Sequence, residues 1–153
     1  MATSTYQAPT EKAPDPTRTC AWAWPHEAKL ALSIVVNVEE GSEYTLADGD
    51  KITEPVDELG VSLKKPLRNY GNESNYQYGI KEGHARIATL LDQYQVNATY
   101  TAAALALERA PAIAAYIKAR GHETCCHGYR WIHQFALDET AEREFIRKGL
   151  DSI

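Results

Sequence analysis

The chain has 153 residues, of which 44% are hydrophobic and 24% charged, and its formal net charge is −5. This size and composition indicate one globular domain and exclude a globally disordered chain, and the acidic balance argues against a nucleic-acid partner because phosphate-binding surfaces are usually basic. The apolar runs are too short or too interrupted for a signal peptide or a bilayer span, so we expect a cytoplasmic protein without a membrane partner.

The first part of the chain divides into an arm, a strand and a long loop. Residues 1–27, rich at first in Thr, Pro, Ala and charge, are predicted to be a mobile N-terminal arm, and residues 28–153 a folded domain. Lys29 to Glu40 is near-continuously apolar and β-branched, which is typical of a strand buried on both faces of a parallel sheet. Residues 42–72 show no clear periodicity and are predicted to be a loop that could cover the mouth of a site.

A helix and a second strand follow the loop. From Asn72 onward, apolar residues such as Ile80 recur at helical spacing, although Gly79 and Gly83 weaken the first turns. The strand is predicted at residues 98–101, where Ala-Thr-Tyr-Thr stands.

The last part of the chain is predicted to be helix, strand, helix. A helix begins near Pro111 and stops at Gly121, a strand covers residues 122–126, and Asp138 caps a final helix. Alternation of strands and helices predicts the α/β class, with parallel strands, covering helices and right-handed crossovers. Because three strands leave edges exposed, we expect a truncated or incomplete sheet, or a homo-oligomer of this chain.

The cysteines do not point to a disulfide or a zinc ribbon. Cys20, Cys125 and Cys126 are an odd number, and two of them are adjacent. Adjacent cysteines rarely pair without strain, and a zinc ribbon needs Cys-x-x-Cys pairs that this sequence lacks. This usage is consistent with a reducing compartment.

Polar side chains follow two of the predicted strands. Glu39 and Glu40 come after the first, and His127, with Arg130 close behind it, comes after the third. We expect these strands to be adjacent and both groups to lie at the same end of the sheet, where (β/α) folds build active sites. A carboxylate can deprotonate water, a histidine can protonate a leaving group, and such a set can also hold a metal. The alternatives are a structural histidine and a pair of solvated glutamates.

Four stretches in a fixed order resemble the polysaccharide deacetylase (NodB-like) family: Asn97–Thr101, Ala106–Pro111, Ala119–Glu123 and Cys126–Gly128. The resemblance runs from about Leu30 to the last residue. It implies part of a distorted (β/α) deacetylase-type barrel that hydrolyses non-peptide C–N bonds, such as those of N-acetyl groups on sugars. Family members are longer than this chain, so the resemblance implies the N-terminal half of the barrel.

The resemblance also implies roles at the two strand ends. Asn37-Val38-Glu39-Glu40-Gly41 stands where the family usually has Thr-Phe-Asp-Asp-Gly, which maps the catalytic base onto Glu39 and a metal ligand onto Glu40. The second motif, usually His-Ser/Thr-x-x-His, reads His127-Gly128-Tyr129-Arg130-Trp131. Because Trp131 replaces the second histidine and cannot bind zinc, we expect no metal cofactor, with zinc or another divalent ion disfavoured.

These variant motifs, with Glu73-Ser74-x-Tyr76, resemble the allantoinase (PuuE-like) branch of the family, which acts without a metal on a cyclic ureide. The resemblance implies a small cyclic amide as substrate, or else an N-acetylated sugar. The predicted catalytic residues are Glu39, Glu40, His127 and Arg130, and the predicted substrate-binding residues are Asn37, Glu73, Tyr76 and Trp131. Two alternatives stay open: a truncated, inactive protein that binds or oligomerises, and a metal-dependent N-acetyl-sugar deacetylase.

Overall fold

The structure is a computed structural model that describes residues 24–54 and 65–153. The chain divides into two units, Met1–Leu32 and Ser33–Ile153. The described residues of the first unit, 24–32, are exposed and include a 3-10 turn at Pro25–Glu27. Most of the predicted arm lies outside the described residues, so its mobility stays a prediction.

A three-stranded parallel sheet lies at the centre of the second unit. Its strands are, in both chain and spatial order, β1 (Val35–Val38), β2 (Thr99–Ala102) and β3 (Glu123–Cys126). Both pairings are parallel, which confirms the predicted α/β class. Because all three strands run the same way, the loops that follow them leave from one edge of the sheet, where a site can be assembled.

Five helices accompany the strands in the described residues: α1 (Tyr70–Tyr78), α2 (His84–Tyr94), α3 (Ala104–Arg109), α4 (Pro111–Arg120) and α5 (Glu139–Ser152). A π-helical segment, Gly79–Gly83, joins α1 to α2, so the two glycines that were expected to weaken the helix bound this segment instead. Helix α1 begins two residues before the predicted Asn72, because the side chain of Asn69 accepts from the Asn72 N–H and caps it.

The hydrophobic core lies between one face of the sheet and helices α2, α3 and α4. Val36, Val38, Tyr100 and Ala102 supply the sheet side; Leu91, Leu107, Ile113 and Ile117 supply the helix side. Tyr100 is fully buried. Burial of these apolar side chains therefore fixes the helices on one face, and leaves the other face of the sheet to carry polar residues.

The prediction for the first strand is wrong in two respects. The strand covers only Val35–Val38, because β2 begins at Thr99 and offers four residues for pairing. It is also buried on one face only: Val36 and Val38 are buried, whereas Val35 is 55% exposed. The apolar residues of this segment could be buried on both faces of the sheet. The helices in the described residues cover only one face of β1.

The other elements follow the prediction with one addition. Gly121, in the left-handed conformation, ends α4, and the side chain of Asp138 accepts from the Ala141 N–H and caps α5, as predicted. The helix before Pro111 was not predicted: Ala110 leaves the helical conformation and separates α3 from α4, as is expected of a residue before proline.

The predicted 42–72 loop is only partly described. It contains a 3-10 turn at Leu46–Asp48 and the beginning of α1, while residues 55–64 lie outside the described residues. In the described ranges, 24–54 and 65–153, no helix is long and apolar enough to cross a membrane.

Candidate active site

Glu39 and His127 meet at the edge of the sheet where the strands end. His127 Nε2 lies 3.2 Å from Glu39 Oε1, and their side chains are 39% and 21% exposed. A carboxylate and an imidazole at this separation can share a proton and exchange it with a water molecule or a substrate. The structure therefore joins two of the predicted catalytic residues into one chemical unit.

The strand register places this pair. The Ala103 N–H donates to Val38 O and the His127 N–H donates to Ala102 O, so the parallel ladder continues one residue beyond each strand. Residues in register on parallel strands point to the same face. Glu39 and His127 thus emerge on the same side of the sheet, opposite to the core.

The expectation that the two strand ends are adjacent is wrong, because β2 lies between β1 and β3. Neighbouring strands are about 4.8 Å apart, so the contact must cross two such spacings. Ala103, the intervening residue, has only a methyl side chain, and the longer side chains of Glu39 and His127 meet across it.

A sharp turn follows His127. Gly128 has φ of +84°, in the left-handed region that favours glycine. A Cβ at this position would lie 2.7 Å from Cε1 of Phe145 in α5. The Gly128 carbonyl accepts from the Ala104 N–H at 3.0 Å, which ties the turn to the start of α3. The absence of a side chain therefore lets the chain turn back immediately after His127.

Glu40 has different surroundings from Glu39. Its Oε2 accepts from the Glu39 N–H at 3.3 Å, and its carboxylate fills the space where a Cβ of Gly79 would be. Gly79 is the first residue of the π-helical segment, and such segments are frequent at functional sites. Of the two glutamates, Glu39 contacts His127, while Glu40 lies against the helix.

Ser42 is a fully buried residue that the sequence analysis did not single out. Its N–H and its hydroxyl both donate to Glu39 O, at 3.0 and 2.5 Å. Its carbonyl accepts from Arg130 Nε at 3.1 Å and from the Trp131 N–H at 3.2 Å. Ser42 thus links the backbone of Glu39 to the loop that follows His127.

The guanidinium of Arg130, predicted to be catalytic, bonds to the loop after β1. Besides Ser42 O, it donates to Glu43 O at 2.7 Å and to both oxygens of Asp50. These hydrogen bonds to Asp50 raise the pKa of Arg130. Burial by itself raises the pKa of Asp50, but hydrogen bonds from Arg130 and from the Thr45 N–H outweigh it and hold that pKa below its usual value.

A second arginine holds the same loop from α3. Arg109 donates to both carboxylate oxygens of Asp48, at 2.9 and 3.0 Å, and to Gly41 O at 2.5 Å. Asp48 Oδ2 also lies 3.7 Å from Arg130, so the two arginines share a carboxylate. Neither aspartate could be predicted as a partner, because Arg109 and Arg130 are distant from them in sequence.

The predicted substrate-binding residues divide into three settings. Tyr76 and Trp131 form an edge-to-face pair with ring centroids 6.2 Å apart. Glu73 accepts two hydrogen bonds from Arg68, which lower its pKa. Asn37 lies on the exposed face of β1, two residues before Glu39.

Two cavities are lined in part by predicted site residues. One of about 520 Å³ includes His127 and Thr101 in its lining and has an apolar wall from α5, chiefly Phe145 and Leu150. The other, of about 290 Å³, includes Glu73 and Tyr76. Glu73 and Tyr76 therefore border a different cavity from the one that His127 borders.

The donors at this edge of the sheet do not fit a catalytic zinc site. Among the described residues, no group of three or more His, Cys, Asp or Glu side chains could hold a metal ion. Trp131 stands at the position of the second motif histidine, and Glu40 lies against Gly79. Catalytic zinc is typically held by three protein ligands, so no step is assigned to a metal here.

Comparison with known proteins identifies the family. The polysaccharide deacetylase family model matches residues 74–153, which is more than half of the chain. The chain belongs to the polysaccharide deacetylase family. The matched segment includes His127 and the elements from α2 to α5, and Glu39 lies before it.

Individual relatives of this deacetylase-family chain agree with the family match. A putative polysaccharide deacetylase of Schizosaccharomyces pombe (strain 972 / ATCC 24843) is 33% identical over 133 residues, which cover 85% of this chain and 42% of the relative. The crystal structures of PuuE allantoinase and of a probable polysaccharide deacetylase from Pseudomonas aeruginosa PAO1 each match with a TM-score of 0.79 and 37% identity, over 84% of this chain and 43% of theirs.

A more distant structure supports the fold alone. A putative polysaccharide deacetylase from Mycobacterium smegmatis matches with a TM-score of 0.64 and 23% identity, over 86% of this chain and 41% of that chain. The deacetylase-family chain therefore spans less than half the length of the relatives it matches. These structural matches confirm the predicted fold, a partial (β/α) deacetylase-type barrel.

Proposed function

We propose that this chain supplies the water-activating pair of a hydrolase that cleaves non-peptide C–N bonds. The observation that carries the proposal is the 3.2 Å contact between Glu39 Oε1 and His127 Nε2 at the ends of β1 and β3. Membership of the polysaccharide deacetylase family gives the reaction class, and the contact gives the two groups that such a reaction requires.

The proposed reaction needs one proton to move twice. The Glu39–His127 pair accepts a proton from water, and the resulting hydroxide attacks the amide carbonyl carbon to form a C–O bond. The same pair then returns the proton to the leaving nitrogen as the C–N bond breaks, giving a carboxylic acid and an amine or amide. Proton transfer by a positioned side chain contributes about 10²–10⁴-fold to the rate of such steps.

For the substrate, we propose a small cyclic amide or ureide bound without a metal. Similarity to PuuE allantoinase at 37% identity supports this choice, as does the tryptophan in place of the second motif histidine. The Tyr76–Trp131 ring pair is the proposed wall against which a flat ring would stack. Asn37 and Glu73 are proposed as polar contacts.

The second candidate is a metal-dependent N-acetyl-sugar deacetylase. Its support is the family itself and the S. pombe relative described as a putative polysaccharide deacetylase. The described donor set is against it. The cytoplasmic location and an assembly of copies stay predictions.

Substrate assays with metal analysis separate these candidates. The purified chain is incubated with allantoin and with an N-acetylated chito-oligosaccharide, before and after treatment with a chelator, and its zinc content is measured. We expect allantoin to be hydrolysed, the chelator to have no effect, and zinc to be well below one equivalent. Chelator-sensitive release of acetate from the sugar would favour the second candidate.

Variants connect the activity to the proposed pair. Glu39→Gln removes the charge at constant shape and should lower kcat/KM for allantoin by about 10²-fold or more. Glu82→Gln is the matched control, because Glu82 is exposed in the π-helical segment and lies outside the pair. If the wild-type chain hydrolyses neither substrate, the hydrolase proposal fails for this chain, and the inactive binding module takes its place.

A further inference from the structure

The loops after β1 and β3 are held together by a polar connection formed by the buried Ser42 and the partly buried Arg130 and Asp50, which we call the Ser42 brace. Ser42 is fully buried, and both its N–H and its hydroxyl donate to the carbonyl of Glu39. A backbone carbonyl that accepts two such bonds is fixed in direction. The brace therefore begins at the residue whose carboxylate faces His127.

The other side of Ser42 leads to the second motif. The Ser42 carbonyl accepts from Arg130 Nε at 3.1 Å and from the Trp131 N–H at 3.2 Å. Arg130 is 88 residues away from Ser42 in sequence, so this contact exists only in the folded chain. It connects the residue three positions after Glu39 to residues three and four positions after His127.

Asp50 completes the brace by neutralising the arginine. The side chains of Arg130 and Asp50 are 19% and 14% exposed, and they pair through two hydrogen bonds in a forked geometry. The Thr45 N–H also donates to Asp50 Oδ2, at 2.8 Å. A largely buried guanidinium without this carboxylate would be strongly destabilising, so Asp50 keeps Arg130 in place.

Arg130 has little donor capacity left for a substrate. A guanidinium has five N–H donors, and Arg130 uses four of them on Ser42 O, Glu43 O and the two oxygens of Asp50. To donate to a developing oxyanion with more than one N–H, it would have to leave these partners. This geometry suits a side chain that positions neighbouring residues and does not bind the substrate.

We propose that Ser42 and Arg130 are positioning residues that keep Glu39 and His127 in contact, and that Arg130 does not itself touch the substrate. This inference rests on the proposed function only in naming Glu39 and His127 as the reacting pair. The brace itself can be tested without an activity measurement.

The test uses NMR on the whole chain with labelled histidine and backbone nitrogen. In Arg130→Lys the forked pairing is lost, and the Trp131 amide proton, which is bonded to Ser42 O, should exchange with solvent about tenfold faster. The His127 ring signals should move in the direction seen in Glu39→Gln. The Glu123 amide, bonded to Ala98 O at the opposite edge of the sheet, should keep its wild-type exchange rate.

Two further variants complete the comparison. Arg120→Lys is the matched control, because Arg120 pairs with Asp92 at 2.8 Å on the surface, with both side chains nearly half exposed. It should leave the Trp131 amide and the His127 signals unchanged. Ser42→Ala removes only the hydroxyl bond to Glu39 O, so it tests the brace even if Arg130→Lys does not fold.

The outcomes are distinct. Wild-type exchange at Trp131 and wild-type His127 signals in both Arg130→Lys and Ser42→Ala would overturn the brace. An equal acceleration at Trp131 and Glu123 would also overturn it, because it would show a general loss of stability. If the brace responds as expected but no hydrolysis of allantoin is found in any variant, the positioning inference stands and the proposed function fails.

Activity gives a second readout where hydrolysis is present. A positioning role predicts that Arg130→Lys lowers kcat about tenfold or more and leaves KM within about twofold, because the pair is misaligned while substrate contacts remain. A change confined to KM would show direct substrate binding by Arg130 and would overturn the inference.

Discussion

The carboxylate of Glu40 occupies the space that a side chain at Gly79 would need. Gly79 has ordinary helical dihedral angles, so it is this close approach, and not the backbone conformation, that a side chain at Gly79 would disturb. Gly79 is also where the α-helical pattern changes to the π-helical segment. Glu40 of the first motif therefore packs directly against the helical backbone at Gly79.

Gly79→Ala should stabilise the protein less than an alanine normally stabilises a helix. An alanine in a helix normally stabilises it by about 1 kcal/mol relative to glycine, but here the methyl group would overlap Glu40 Oε1. The Glu40 carboxylate ends a flexible side chain and can turn away, so we expect its displacement to offset most of that gain and to leave the free energy of unfolding close to the wild-type value. Urea denaturation followed by circular dichroism measures the change.

Gly83→Ala is the control for this prediction. A Cβ at Gly83 would meet Tyr78 at 3.7 Å or more, which is ordinary contact. This variant should be more stable than the wild type by up to about 1 kcal/mol, because no contact opposes the helix gain. A stability gain in Gly79→Ala similar to that in Gly83→Ala would show that Glu40 does not hold the position described here.

Stability should also fall in mild acid, because two histidines pack against the same pair of tyrosines, one fully and one partly buried. The rings of His84 and His122 each lie within 6 Å of those of Tyr100 and Tyr116. Burial, and then the electrostatic interaction with the neighbouring His122, lower the pKa of His84 below its usual value of 6.5. Burial also raises the pKa of Tyr100 to about 12, so this tyrosine stays neutral.

The direction of the pH effect follows from the His84 pKa. Since this pKa is lower in the folded state, the unfolded chain binds the proton more readily, and the folded state is favoured above pH 6.5 and loses stability as the pH falls below it. Other charged groups facing the cluster are Asp92, which accepts from Tyr116, and Arg120, which pairs with Asp92. Thermal unfolding between pH 7.5 and pH 5 should show a lower Tm in acid.

His84→Gln should weaken the dependence of Tm on pH. His133→Gln, at an exposed position, should retain the wild-type dependence. A profile for His84→Gln parallel to that of the wild type would contradict the assignment to His84. Because the variant also loses ring packing, the comparison uses the slope of Tm with pH and not Tm itself.

The sequence predicts the pair but not what holds it. Glu39 and His127 could be found because each follows an apolar strand and matches a family motif. Ser42, Asp48 and Asp50 carried no such signal, since polar residues in a loop have the same appearance whether they are solvated or bonded. Their partners, Arg109 and Arg130, are 61 to 88 residues away, and only the folded chain shows the pairing.

The fold, too, could be predicted where neighbouring residues determine it and not where distant elements do. Capping by Asp138 and the end of a helix at Gly121 depend on neighbouring residues, and both were predicted correctly. The length and burial of β1 depend on β2 and on which helices cover the sheet, so the apolar run alone overestimated both. The break at Ala110 could have been predicted from the proline that follows it.

Gly128→Ala should destabilise the turn after His127. The φ of +84° is strained for alanine, and the added Cβ would lie 2.7 Å from Phe145 Cε1. We expect a loss of about 1–3 kcal/mol from strain and overpacking together. Phe145→Leu in the same chain should recover the part that comes from the ring, and chemical denaturation of the two single variants and the double variant measures it. Strict additivity of the single variants would show that the two residues do not interact.

Trp131→Ala should weaken substrate binding more than it slows the chemical step. The Trp131 ring contacts Tyr76 edge to face, while its backbone N–H donates to Ser42 O, so truncation removes the ring and leaves the backbone contact in place. A ring that stacks on the substrate equally in the ground state and in the transition state affects KM and leaves kcat nearly unchanged.

For allantoin we expect KM to rise about tenfold in Trp131→Ala, which corresponds to about 1.4 kcal/mol and lies near the upper end of the range for an aromatic contact. Trp131→Phe keeps an edge-to-face partner for Tyr76 and should stay within about threefold of the wild type. Initial rates over a range of allantoin concentrations separate the two parameters. A fall in kcat at unchanged KM would place Trp131 with the brace, as a residue that holds the pair and not the substrate.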